Sequence, residues 1–302
     1  ERGVIIEEIN MFEDTPSRKI SDLWNNLLYG DQPAGWDTVG RKEIIAKLMR
    51  DDFVKYHNDH YIAPKTVVIV SGMIEHNNIV GKIKKLFELI GKTKGKDKVP
   101  TKESQKNPEV KVFYKKTDQT HIALGARSYN IFDKRRYAAD VLATILGGGM
   151  SSRLFQLLRD KMGAAYYVRT VGDESTDTGN LATWAGIDNR RTEEIIKAIL
   201  NEYKKIKDVK VNAAELTKAK EHLEGGLILS IETSDELASF YGFQEVLKNE
   251  IIKPDEMIKK IRAVTTNDVL EVAQDIFWPE KLNLAMVGPF KDGKKFVNLL
   301  KL

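Results

Sequence analysis

Two glutamates near the start of the chain stand at a spacing that can do chemistry. Glu1 and Glu8 are seven residues apart, two turns along one helical face, with Ile5, Ile9 and Phe12 as an apolar stripe beside them. Carboxylates so placed can ligate or orient a metal ion, and on periodicity alone they also fit a solvated acidic face. Other candidates have less support. His57 and His60, in "HNDH", share a helix face at i, i+3, but the 302 residues contain no HExxH, no HxxEH and no Cys/His cluster, so they read as surface or cap histidines. The run Gly147-Gly148-Gly149 lacks the GK[ST] that a phosphate loop needs and reads as a flexible helix connection. Ser151 and Ser152 have no His or acid at an elbow spacing and read as caps for the next helix.

The elements that must position these residues follow from periodicity. Helical spacing runs through 3–12, 20–28 and 51–60, and Thr66 to Ser71 has the composition of a strand. Residues 91–109, "GKTKGKDKVPTKESQKNPE", hold six Lys, two Pro and no aromatic residue, the composition of an interdomain linker. Beyond it, strands are expected at 110–116, 120–128, 164–171, 180–187 and 281–287, with helices from 134, 151, 190, 212, 233, 254 and 265. Strands cluster and helices cluster, which gives an α+β class with mostly antiparallel sheet. The expected domains are 1–90, the linker 91–109 and a complete unit at 110–302.

Part of the chain repeats. The order of residue types from Glu43 to Gly72 recurs from Glu256 to Gly288, with Asp52, Tyr61 and Gly72 each 216 residues before Asp268, Phe277 and Gly288, and Pro64 215 before Pro279. Each copy reads as helix, acidic cap, second helix, Pro turn and apolar strand ending in Gly. A repeat of about 215 residues makes the second unit complete and leaves the first short of its opening half, so about a hundred residues are expected to precede Glu1. Hydrophobic residues make up 42% of the chain, enough for a packed core, and no apolar run approaches a membrane span. The chain has no Cys, which excludes disulfides and thiolate ligands. Its net charge of +4 comes from scattered Lys and does not imply a nucleic-acid partner. Nothing in the sequence specifies a compartment.

The segment "ERGVIIEEINMFEDTPS" resembles the stretch that follows the metal helix in pitrilysin/insulinase-type zinc peptidases, a group that includes the processing peptidases. A second stretch, "LGGGMSSRLFQLLRDKMGAAYYVRT", resembles their Gly-rich turn and following helix. The resemblance covers essentially the whole chain. It implies duplicated halves of the LuxS/processing-peptidase-like type, with helices on one face of each sheet. It also implies a zinc-dependent endopeptidase acting on peptides or unfolded segments, in which Glu8 is a zinc ligand and Glu1 a supporting carboxylate, with Glu7 the adjacent competitor. The two His ligands and the general-base Glu belong to an HxxEH motif that these residues lack, so the chain alone is expected to be inactive and to hold no zinc. Arg159 and Tyr166 are implied to bind substrate, with Tyr167 the relevant phenol if the register slips by one. A guanidinium and a phenol can both donate hydrogen bonds to a peptide carbonyl. Read without the resemblance, Arg159 is an exposed helix residue and Tyr166 opens a buried strand. The implied partners are a polypeptide substrate and the missing N-terminal segment or a second subunit, which would cover Ile5, Ile9 and Phe12. The alternative is a non-catalytic partner or regulatory subunit of a related peptidase.

Overall fold

Apolar-rich segments after the Lys-rich stretch build five strands in a computed structural model that describes residues Glu1–Leu302. They are β1 (Glu109–Tyr114), β2 (Gln119–Ser128), β3 (Ala165–Glu174), β4 (Gly179–Asp188) and β5 (Leu282–Gly288), each within a few residues of its expected bounds. They form one open mixed sheet in the order β1-β5-β2-β4-β3. Only the β1–β5 pair is parallel. The helices are α1 (Arg2–Asp14), α2 (Pro16–Tyr29), α3 (Lys42–Ile45), α4 (Arg50–His60), α5 (His76–Leu86), α6 (Arg136–Gly147), α7 (Thr192–Asp208), α8 (Ala213–Leu229), α9 (Ser234–Lys248), α10 (Pro254–Ala263), α11 (Thr266–Ile276) and α12 (Lys294–Val297). A π-helical turn spans Phe155–Lys161. The class is α+β, as the sequence implies.

The period of two sorts each strand between two cores. Ile122, Leu124 and Ala126 of β2 face a 41-residue cluster built with α6, α7 and α11. Ala123 of β2, Ala182 of β4 and Ala285 of β5 face the other way, where α2 lies with Ile20, Leu23, Trp24 and Leu28. Ala123 and Ala285 stand opposite each other and Ala182 stands opposite Gly125, so small residues make a shallow bed in which a helix can lie close to the strands. The Trp24 indole donates to Asn180 Oδ1 at 3.0 Å, so its one polar atom is satisfied inside the bed. Arg127 on β2 closes the C-terminal end of α2 by donating to the Leu28 carbonyl, and it also holds Gln105. Residues 92–108 form no helix or strand. They are nonetheless pinned to the sheet side, through Thr101 N to Asp177 at 2.7 Å and Thr178 to Glu103 at 2.7 Å.

Four expectations are corrected. Thr66 to Ser71 pairs with no strand, and Val67, Val68, Ile69 and Val70 stay 37–44% exposed, because a strand needs hydrogen-bonding neighbours and none lies within reach. Gly147 and Gly148, at the end of α6, are there for close approach rather than flexibility: a Cβ on Gly147 would stand 2.3 Å from the Thr170 backbone nitrogen, and one on Gly148 2.7 Å from the Thr144 Cα. The Ser152 hydroxyl caps nothing and donates back to the Gly149 carbonyl at 2.6 Å. Ile9 is not left for a partner to cover, because it is 4% exposed within this chain, where α1 packs on α2 and α3.

On α6, Asp140 meets Glu174 among Arg136 and Lys248. Burial first, and the Glu174 carboxylate second, push its pKa up to about 8. An unfolded chain releases that proton near pH ~4, so this site's contribution to stability falls as pH rises from ~4 to about 8. Asp140→Asn should therefore flatten the fall of Tm between pH 5 and 8 and raise Tm near pH 8 by about 2–4 °C in differential scanning fluorimetry. An unchanged slope would show that Asp140 does not titrate in this window. Trp24→Ala empties the alanine bed and should cost about 3–5 kcal/mol in a urea titration. A loss below about 1 kcal/mol would mean that α2 is not held by Trp24.

Candidate functional site

Arg159 and Tyr166, singled out from the sequence, lie at one end of the sheet. β3 begins there at Ala165, β2 at Gln119, and β4 and β1 end there at Asp188 and Tyr114. The α1–α2 junction is fixed at the same end, because the Lys115 ammonium donates to the Glu13 carbonyl at 2.9 Å and to Asp14 at 2.9 Å. α1 therefore springs from the same end of the sheet as Tyr166, but beside β1, at the opposite edge from β3. Glu1, Glu7 and Glu8 are all exposed. At 3.6 residues per turn, Glu7 lies about 160° around the helix from buried Ile9 and points straight to solvent, whereas Glu8 lies about 100° from it, on a flank nearly shared with Glu1.

The Tyr166 side chain is aimed by a β-bulge. The β3–β4 ladder pairs Ala165 with Ile187 and Tyr167 with Gly186, so Tyr166 is the extra residue between them. It is 60% exposed, which corrects the reading of a buried strand residue. Arg159 sits on the π-helical turn, where its guanidinium donates to the Tyr166 carbonyl at 3.2 Å and lies over the Phe155 ring at 5.2 Å. A π turn shifts the following side chains around the helix axis. Arg159 and Tyr166 are thus adjacent and exposed on one surface.

Tyr167 has a different setting. Its ring covers Gly186, where a Cβ would stand 2.5 Å from the tyrosine Cε1, so glycine is required beneath it. Its hydroxyl is 2.9 Å from His121 Nδ1. Burial lifts the Tyr167 phenol to about 12 and pushes the His121 imidazole down, so near neutral pH both are uncharged and the phenol donates to the ring nitrogen. No local pattern signals this pair, whose members are 46 residues apart. The one available signal was a glycine in an otherwise apolar strand, which marks a close approach by a neighbour.

No three His, Asp or Glu side chains converge on a point that could hold a metal ion. A catalytic zinc takes three protein ligands. The exposed carboxylates of α1 supply one at most, so these residues do not by themselves fit zinc. His57 and His60 are exposed and engaged in stacks, His57 on Tyr61 at 4.8 Å and His60 on Tyr56 at 4.0 Å. No helix is long and apolar enough to cross a membrane.

A family profile described as "Peptidase M16 inactive domain" matches residues 47–223. A Streptomyces coelicolor protein described as an uncharacterized zinc protease is 32% identical over 298 residues, 97% of this chain and 65% of the relative. The zinc protease YmxG of Bacillus subtilis, likewise described as uncharacterized, is 31% identical over 96% of this chain and 70% of its own length. The chain thus spans about two thirds of these relatives. In fold it is similar to the crystal structure of a protease from Helicobacter pylori, with a TM-score of 0.88 over 95% of this chain and 71% of that one at 23% identity. The pitrilysin/insulinase-type resemblance read from the two motifs is borne out, and the chain belongs to the peptidase M16 family.

Proposed function

We propose that this chain is the substrate-binding part of a zinc-dependent endopeptidase that acts on peptides or unfolded segments. Residues 1–90 belong to the zinc-binding half, 91–109 are the linker, and 110–302 form the second half. The observation that carries this reading is the bulge that turns Tyr166 outward beside Arg159, at the sheet end from which α1 rises. Both side chains can donate hydrogen bonds to a carbonyl of an extended polypeptide. Glu8, on the flank shared with Glu1, is the zinc ligand this chain supplies, and its fellow ligands lie outside these residues. The partner that completes the site also supplies strands for the extended residues 66–70, whose apolar side chains are exposed. A non-catalytic role beside an active subunit is favoured by one observation, the description of the matched region as an inactive domain.

The two readings separate in the longer protein that carries this chain. As an endopeptidase it should bind about one zinc per chain by elemental analysis and cleave an internally quenched peptide, with zinc occupancy lowered by Glu8→Gln. Arg159→Gln and Tyr166→Phe should each lower kcat/KM by about tenfold or more while zinc stays bound. The 302-residue chain alone should hold no stoichiometric zinc and cleave nothing. Stoichiometric zinc or cleavage by that chain would overturn the assignment of the remaining ligands. A longer protein that is inactive with zinc bound would favour the non-catalytic role.

A further inference from the structure

α2 rests on β1, β5 and β2 and reaches β4 at Asn180, Ala182 and Trp184. The outer part of that sheet face, over β4 and β3, carries no helix. The ladder places Tyr167 opposite Gly186, Arg169 opposite Trp184 and Val171 opposite Ala182. These three β3 side chains therefore point to the face that α2 shares, beyond its flank, while Val168 and Thr170 point into the main core. Arg169 is exposed. It forms none of the ion pairs in this part of the molecule, in contrast to Arg153 and Arg191, which hold Glu215 and Glu194.

The charge on this face is one-sided. Its carboxylates lie at the two ends, Asp173 on β3 and Asp188 on β4, each four residues along its strand and so about 13 Å from the Arg169–Trp184 pair. Asp188 already accepts from the Arg190 backbone at 2.8 Å. The floor is fixed, since Tyr167 is held over Gly186 and hydrogen-bonded to His121, and Trp184 packs edge-on against Trp24 at 6.1 Å. A guanidinium without a carboxylate partner, beside a rigid aromatic floor, suits an incoming carboxylate.

We infer that the β3–β4 part of this face is an acid-preferring subsite, in which an extended polypeptide held at Arg159 and Tyr166 runs on across Tyr167 and places an Asp or Glu side chain on Arg169. This rests on the proposed role of Arg159 and Tyr166. Tyr166 and Arg169 are three residues apart on β3, so the acidic residue stands about three residues from the one held at the bulge. The subsite selects among substrates by charge and lies beside the residues that hold the peptide backbone.

Anisotropy of fluorescein-labelled ten-residue peptides tests this, using pairs that differ only by Glu or Gln at one position, walked along the peptide. For the wild-type chain, one position should show about tenfold tighter binding of the Glu peptide at low salt, a preference that shrinks as salt rises. Arg169→Gln should bring the ratio to about one, with circular dichroism confirming the fold, and Arg159→Gln should weaken both peptides while keeping the ratio. A preference that survives Arg169→Gln, or Glu peptides that bind no tighter than Gln peptides at any position, overturns the subsite. If Arg159→Gln weakens neither peptide, the role of Arg159 fails while the Arg169 result stands. If the folded wild-type chain binds no peptide, both fall.

Discussion

The docking of α2 on the alanine bed of the sheet sets the relation between the two ends of the candidate site. Without it, α1 and its carboxylates would hang from the chain with no fixed direction. The alanines of β2, β4 and β5 remove side-chain bulk where the helix must come close, and Trp24 fills what remains. A large apolar ring in such a bed contributes several kcal/mol. Its indole nitrogen would cancel part of that gain if left unpaired, and Asn180 prevents this. Arg127 then holds the C-terminal end of α2 by the Leu28 carbonyl, and Lys115 holds the last turn of α1, just ahead of α2, by the Glu13 carbonyl. A helix fixed along its length transmits its position to what precedes it, and so α1 inherits the frame of the sheet.

The same frame explains why Tyr166 and Tyr167, adjacent in sequence, have opposite fates. In an unbulged strand, neighbours point to opposite faces and Tyr166 would turn toward the main core. The extra residue breaks that alternation and leaves Tyr166 unpaired and exposed, while Tyr167 resumes the register over Gly186. The π-helical turn ahead of the strand does related work for Arg159. Two local irregularities therefore aim two polar side chains at one place on a regular scaffold.

Much of this was legible in the sequence, and what was not has common causes. The strands from Gln119 to Asp188 and the helices beyond were readable because each buries one face and so carries its own period. Arg159 and Tyr166 were found through a motif resemblance, since their types and spacing alone point to nothing. The bulge at Tyr166 exists only relative to β4, and no single strand reveals its partner's register. The His121–Tyr167 hydrogen bond and the Arg127 clasp on α2 join residues 46 and 99 positions apart, beyond any local pattern. Gly147 and Gly148 were misread because flexibility and close approach call for the same residue.

The repeated segment separates local from non-local control. In both copies an Asp at the third helical position accepts from the backbone of the capping residue, Asp52 from Met49 at 2.8 Å and Asp268 from Thr265 at 2.7 Å. Both helices end at an aromatic, Tyr61 or Phe277, and both pass through a tight proline turn, at Ala63–Lys65 and Pro279–Lys281. Up to there the interactions span only a few residues, and the two copies agree. They part at the strand. Leu282–Gly288 has a parallel neighbour and an antiparallel one and is buried at all seven positions. Thr66–Ser71 has neither, and its valines face solvent. Two segments of like composition thus end in different states, so β propensity here measures fitness for a sheet, and only a sheet can realise it. The caps and turns are written in each copy, whereas the strand is written jointly with its neighbours.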